Sequence, residues 1–193
     1  MNQAEALAAV RNATYEFYQL GMRFKGATMI PVNPVNATTL DAGPLRFVVE
    51  PRILDDTVLT TGSDRDAEGD DGTPIFNDYG PSLHVFSMAD GLEYLRFDCF
   101  VNKPHYHYGR HGAGEVITVR FDQYAEGDPV EWTIGRLRSR LPEMLEHAGV
   151  PEIADGVREH EAEILHAVGE IEILLKEARE GELLKGAKEA VTP

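Results

Sequence analysis

The sequence holds one cysteine, Cys99, and one tryptophan, Trp132. A single thiol can form neither an intrachain disulfide nor a thiolate cluster, which fits a reducing compartment. Basic residues are scarce too: 18 Lys and Arg face 33 Asp and Glu, a formal net charge of −15. Such a field repels phosphate backbones. Lys176, Arg179, Lys185 and Lys188 are each diluted by glutamates, so neither nucleic acid nor an anionic membrane surface is an expected partner. No apolar run approaches the roughly 18 residues of a membrane span. The opening MNQAEALAAVRNATYEF has no basic segment followed by an apolar core, so a secretory signal is not expected and a cytoplasmic location is. G-x-S-x-G, Walker, dinucleotide-binding and H-E-x-x-H patterns are all missing, which disfavours covalent serine chemistry, nucleotide hydrolysis and zinc peptidase activity.

What is present reads as one domain over residues 1–193, long enough to bury roughly two-thirds of its unfolded surface. Leu7, Val10, Phe17 and Leu20 predict an N-terminal helix from Ala4 to Leu20. Pro31 and Pro34 then keep the chain extended and irregular. Leu45–Glu50 reads as a strand ended by Pro51, with a second strand through Ile53–Leu59. Residues 61–74 are small, acidic and Gly-rich, a mobile surface loop. Their alternating acids imitate the start of a calcium loop, but Ile75 stands where its bidentate acid belongs.

Leu83–Met88 and Leu92–Val101 predict a hairpin about a two-residue Asp90–Gly91 turn. That register puts His84, Phe86 and Met88 on one face with Glu93, Leu95, Phe97 and Cys99. Leu83, Val85, Tyr94, Arg96, Asp98 and Phe100 take the other. Glu115–Phe121 is a further strand. Helical periodicity begins near Trp132 and stops at Gly149. A long helix then runs from about Glu152 to Arg179 on the stripe Ile153, Val157, His160, Ile164, Val168, Ile171 and Leu175. Its length and stripe predict a contribution to a homodimer, and residues 181–193 should fray. The fold expectation is α+β: a mostly antiparallel sheet or partly closed barrel, flanked by the N-terminal helix and two C-terminal ones.

The chemistry concentrates in His105–Glu115, HYHYGRHGAGE. On an extended chain His105 and His107 point one way and Tyr106 and Tyr108 the other. Such an H-x-H pair offers two imidazoles on one face, and the glycines at 109, 112 and 114 would let His111 or Glu115 close a ligand set. Two or three histidines with a carboxylate suit one divalent metal ion: Zn, Fe, Ni or Mn. Two readings compete with metal: a polar aromatic turn with solvated histidines, and histidine acting as general acid or base without metal.

Through His105, His107 and Glu115 the segment resembles the first motif of cupins, in which an H-x-H strand and a following Glu bind a metal. The resemblance implies a small β-barrel with a metal in it. The Glu lies further along than in the cupin pattern, and no second cupin motif is visible.

The functional expectation is a metal-dependent lyase, isomerase or hydrolase acting on a small-molecule substrate, with Asp98 or His84 as the group that moves protons. An Fe(II)-dependent oxygenase fits the same ligands. The alternative from another class is a non-catalytic module that binds a small ligand or a protein through Tyr106, Tyr108 and Arg110. His84 also reads as a hydrogen-bonded core residue, Arg96 with Asp98 as a partly buried pair or as an anion clamp and a carboxylate ligand or base, and Cys99 as a core thiol.

Overall fold

A computed structural model describes residues 23–25, 29–54 and 78–191. Seven strands form one antiparallel sheet: β1 (Arg23–Lys25), β2 (Thr38–Ala42), β3 (Leu45–Leu54), β4 (Asp78–Ser87), β5 (Glu93–Asp98), β6 (His105–Arg110) and β7 (Glu115–Arg120). Their order is β1-β7-β6-β5-β4-β3-β2, so β2 to β7 make a meander and β1 lines up outside β7. The outer strands β1 and β2 do not pair with each other. The sheet is therefore open, and the expected partial closure into a barrel is wrong.

The helices are α1 (Gln123–Glu126), α2 (Pro129–Ala148), α3 (Pro151–Glu159), α4 (Glu161–Glu180) and α5 (Glu182–Val191). Every α-helix among the described residues comes after the sheet, and there are five where two were expected. The helix expected over Ala4–Leu20 and the acidic stretch 61–74 lie outside the described residues. The tail expected to fray carries α5, with Leu184 buried.

Local chemistry explains where α2 starts and stops. Asp128 accepts hydrogen bonds from the amides of Val130 and Glu131, at 2.9 and 3.0 Å, Pro129 occupies the first turn, and Gly149 ends the helix at φ 94°. Ile134, Leu137, Leu141 and Leu145 on α2 and Val168, Ile171 and Leu175 on α4 then pack into one core with Leu45, Phe47, Leu83, Val85, Leu95 and Phe97 of the sheet.

The stripe expected along a single long helix is buried at Ile153, Val157, Ile164, Val168, Ile171 and Leu175, but the helix breaks at His160. There the β2–β3 turn comes so close that a Cβ on Gly43 would sit 2.8 Å from His160 Cβ. Gly43 also holds φ +51°, so the turn needs glycine for both conformation and clearance. With the long helix divided, its length no longer argues for a dimer.

Strand β3 runs straight through Pro51, which pairs with Pro81. Pairing with β2 has ended by Val49, so Pro51 lies where β3 has become an edge and a missing N–H is tolerated.

The decisive departure is in the β4–β5 hairpin. Val85 pairs with Leu95 but Phe86 pairs with Glu93, leaving Tyr94 as an extra residue in the ladder. This bulge turns the rest of β5 over. Leu95 and Phe97 join Leu83 and Val85 under the helices, whereas Arg96 and Asp98 join Ser82 and His84 on the opposite face. The expected register mixed polar and apolar residues on both faces; the observed one separates them. Deleting Tyr94 should close the ladder with Leu95 still opposite Val85 and Arg96 still opposite His84. That variant should keep a cooperative thermal transition by circular dichroism, at a lower midpoint because the buried Tyr94 ring is lost. Inserting one residue between Leu95 and Arg96 should instead turn Arg96 and Asp98 toward the apolar core and abolish the transition. An insertion variant that unfolds cooperatively near the parent temperature would show that the alternation of β5 does not hold these charges in place.

Candidate metal centre

The polar face carries two transverse rows. One runs Glu50, Ser82, Asp98, His105, Arg120, each the direct cross-strand partner of the next; the other runs Val48, His84, Arg96, His107, Thr118. Directly opposed residues share a face at close range, so the meander itself gathers residues distant in sequence. Glu50, Ser82, His84, Arg96, Asp98, His107 and Thr118 are all buried.

Where the rows cross β5 and β6, Asp98, His105 and His107 bring one potential ligand atom each within 4.8 Å of one another. His105 Nε2 lies 3.4 Å and His107 Nε2 3.1 Å from the same oxygen, Asp98 Oδ2. Two donors at about 2.0–2.1 Å from a tetrahedral ion stand roughly 3.3 Å apart, so the spacing suits a divalent metal.

The supporting contacts fix each ring. Asp78 accepts from the amides of Asn102 (3.1 Å) and Lys103 (2.7 Å), which sets the chain entering β6. Lys103 then presents its carbonyl to His105 Nδ1 at 2.8 Å. A carbonyl only accepts, so His105 carries its proton on Nδ1 and turns the unprotonated Nε2 toward Asp98. Thr118 Oγ1 contacts His107 Nδ1 at 3.0 Å, and Ser82 Oγ donates to Asp98 Oδ1 at 2.5 Å. Only Oδ2 of the carboxylate faces both rings.

Electrostatics favours the ligating forms. Burial is the strongest influence on His105 and, against the attraction of Asp98, lowers its pKa to about 3, so the ring is neutral at neutral pH. Burial also pushes the Asp98 carboxyl upward, but the His107 hydrogen bond and the Arg96 charge outweigh it and hold the group well below the usual carboxylate range. A neutral imidazole lone pair thus points at an ionised carboxylate oxygen, an arrangement that a cation between them would relieve.

Beside the triad lies a second buried network. Arg96 donates to Glu93 through Nε (2.8 Å) and Nη2 (2.7 Å). His84 sits between two carboxylates, with Nδ1 2.6 Å from Glu93 Oε1 and Nε2 3.0 Å from Glu50 Oε1. Arg52 donates to Glu50 and to the carbonyls of Ile30 and Pro31, and Asn33 N donates to Glu50 Oε2. Both nitrogens of His84 are thereby engaged, as the core-histidine reading expects.

His111 and Glu115 lie outside the triad. His111 stands in a short 3-10 turn, Nε2 donating to the Glu93 carbonyl at 2.9 Å. Glu115 faces Arg110 at 3.6 Å. The H-x-H pair does form the metal-type cluster to which the cupin-like segment points, with Asp98 from the neighbouring strand as its carboxylate. Its setting is an open sheet. Sequence reading missed Ser82, Thr118, Glu50 and Glu93 as supports. Each could have been found only with the correct register, since each reaches the site across a strand pair.

The chain belongs to the family described as Domain of unknown function (DUF7700), which matches residues 39–173. No curated protein and no solved structure matches it. Among the described residues no helix is long and apolar enough to cross a membrane.

The Glu93 network predicts a pH dependence. Burial raises the Glu93 carboxyl, but His84 and Arg96 overcome it and lower its pKa from 4.5 to about 2. An acid with a depressed folded-state pKa adds stability above its unfolded value and loses it as pH falls through the folded one. The window is therefore pH 4.5 down to about 2, and the contribution is about 3 kcal/mol. Glu93→Gln should cost about 3–5 kcal/mol at pH 7, because Arg96 stays buried without its partner. Urea unfolding across that window should then vary less steeply with pH in the variant than in the parent.

Proposed function

We propose that this member of the DUF7700 family is a metal-dependent enzyme acting on a small organic molecule, with Asp98, His105 and His107 holding one divalent ion. One observation carries the reading: a buried carboxylate oxygen faced by two imidazole Nε2 atoms at 3.1 and 3.4 Å, with the far side of each ring engaged. Three protein ligands leave coordination positions for water or substrate, which separates reactive sites from closed structural ones. A metal held there would polarise a carbonyl or carboxylate oxygen or activate a water, as lyase, isomerase or hydrolase chemistry requires.

The residues around the triad take supporting parts in this reading. Ser82 holds Asp98 so that Oδ2 stays available, and Thr118 orients His107. Arg120, opposite His105 in the ladder, places a cation beside the triad that suits an anionic group on the substrate. With Asp98 assigned to the metal and both nitrogens of His84 engaged, His84 serves to fix the neighbouring charges.

The donor set favours a second reading as well. Two histidines and one carboxylate are the ligands of non-haem Fe(II) oxygenases. The metal that co-purifies under anaerobic conditions separates the two: iron supports the oxygenase, and zinc, nickel or manganese the non-redox chemistry.

Elemental analysis of untagged protein should give close to one divalent metal per chain, falling by at least about tenfold in His105→Ala, His107→Ala and Asp98→Asn. Folded variants that keep full metal content would overturn the assignment. Thr118→Val keeps the ligands but removes the contact that orients His107, and it should weaken metal affinity by about 10–100-fold with little change in the melting curve. Competition with a chromogenic chelator measures that loss.

A further inference from the structure

Strand β6 has two chemically distinct faces, and only one belongs to the metal centre. Tyr106 and Tyr108 point to the helix side, where with Trp132, Arg136, Arg140, Glu143 and Met144 they line an open groove of about 330 Å³ between β6 and α2. That is the size of a small-molecule site. Its floor is aromatic: Tyr106 lies 5.1 Å from Trp132 and 5.7 Å from Tyr108 between ring centroids, and Phe121 packs edge-on to Trp132 at 5.1 Å. The Arg136 guanidinium stands 5.1 Å above the Trp132 ring.

The two arginines lie one helical turn apart and so on the same side of α2. Arg136 forms an ion pair with Glu126 at 3.6 Å and Arg140 one with the groove's own Glu143 at 3.7 Å, both too long for a hydrogen bond, and the arginine side chains are 39% and 61% exposed. Arg138, between them in sequence, instead donates to Glu172 at 2.8 Å. The groove thus keeps two guanidiniums with donors to spare, in a chain whose net charge is −15.

Aromatic rings stack at centroid separations of about 4.5–7 Å, and guanidinium forks bind carboxylates bidentately. We propose that this groove binds a small planar aromatic carboxylate, its ring on the Tyr106–Trp132 ledge and its charge between Arg136 and Arg140. The site is independent of the metal centre, since the two open on opposite faces of β6.

Trp132, the only tryptophan, reports on the groove directly. Its fluorescence is followed while benzoate, benzamide or cyclohexanecarboxylate is titrated to millimolar concentration, at two protein concentrations. Benzoate should give a saturable change, with the neutral amide and the non-aromatic acid each weaker by at least about tenfold. Arg136→Gln/Arg140→Gln, checked for folding by circular dichroism, should lose the benzoate response, whereas His105→Ala should retain it. Several results would overturn the proposal: no saturable response to benzoate, equal binding of benzamide, an unchanged double variant, or loss of the response in His105→Ala, which would place the benzoate on the metal. Affinity that falls as protein concentration rises would also overturn it, because a second copy of the chain would then be the occupant.

Discussion

Arg96 and Asp98 share the polar face of this sheet with Glu93, His84 and Glu50 because of the extra residue at Tyr94. A strand has a period of two, so a ladder without the bulge would place Arg96 and Asp98 with the leucines and Leu95 and Phe97 with His84. The bulge lets one side of the sheet pack entirely against α2 and α4 while the other collects ionisable residues in two rows. The core and the candidate metal centre are thus two consequences of a single irregularity in the ladder.

Burying that many charges is costly unless each finds a partner. The network meets the condition by pairing across strands. Glu93 receives both Arg96 and His84, Glu50 receives Arg52, His84 and the Asn33 amide, and Asp98 receives Ser82 and His107. Replacing such pairs by apolar residues of equal volume is often neutral or stabilising in proteins. Stability alone therefore gives little reason to keep the network, and function gives a better one. His105 is the member whose demands are least met within the protein, because its Nε2 has only a carboxylate oxygen in front of it.

The H-x-H pair was legible because a strand's period of two needs no tertiary information to place His105 with His107 and away from the tyrosines. The helix from Pro129 to Gly149 was legible too, since its cap, first-turn proline and stop glycine are local signals. The third member of the triad was legible only as one of several readings of Asp98. Asp98 stood out as a polar residue within an apolar strand, yet its partner depends on how β5 pairs with β6, and no local pattern announces the bulge that sets β5. The break at His160 was hidden for a similar reason, as the stripe continues through it and the obstacle is the Gly43 turn, far earlier in the chain.

Alternation along β6 ties the two candidate sites together physically. His105 and His107 need a dry, polar surface; Tyr106 and Tyr108 need an apolar one with a partner for their rings. Only a strand inside a sheet, with unlike layers above and below, satisfies both, and β6 occupies that place between β5 and β7. Anything that shifted β6 by one residue would exchange the two sets, putting imidazoles against Trp132 and phenols beside Asp98. The register is secured from three directions: Asp78 grips the chain before the strand, His111 binds the Glu93 carbonyl after it, and the aromatic contacts with Trp132 hold its middle. Those restraints belong to neither site alone, which is why a substitution in the aromatic groove that loosened β6 would also disturb the geometry of the metal ligands on its other side.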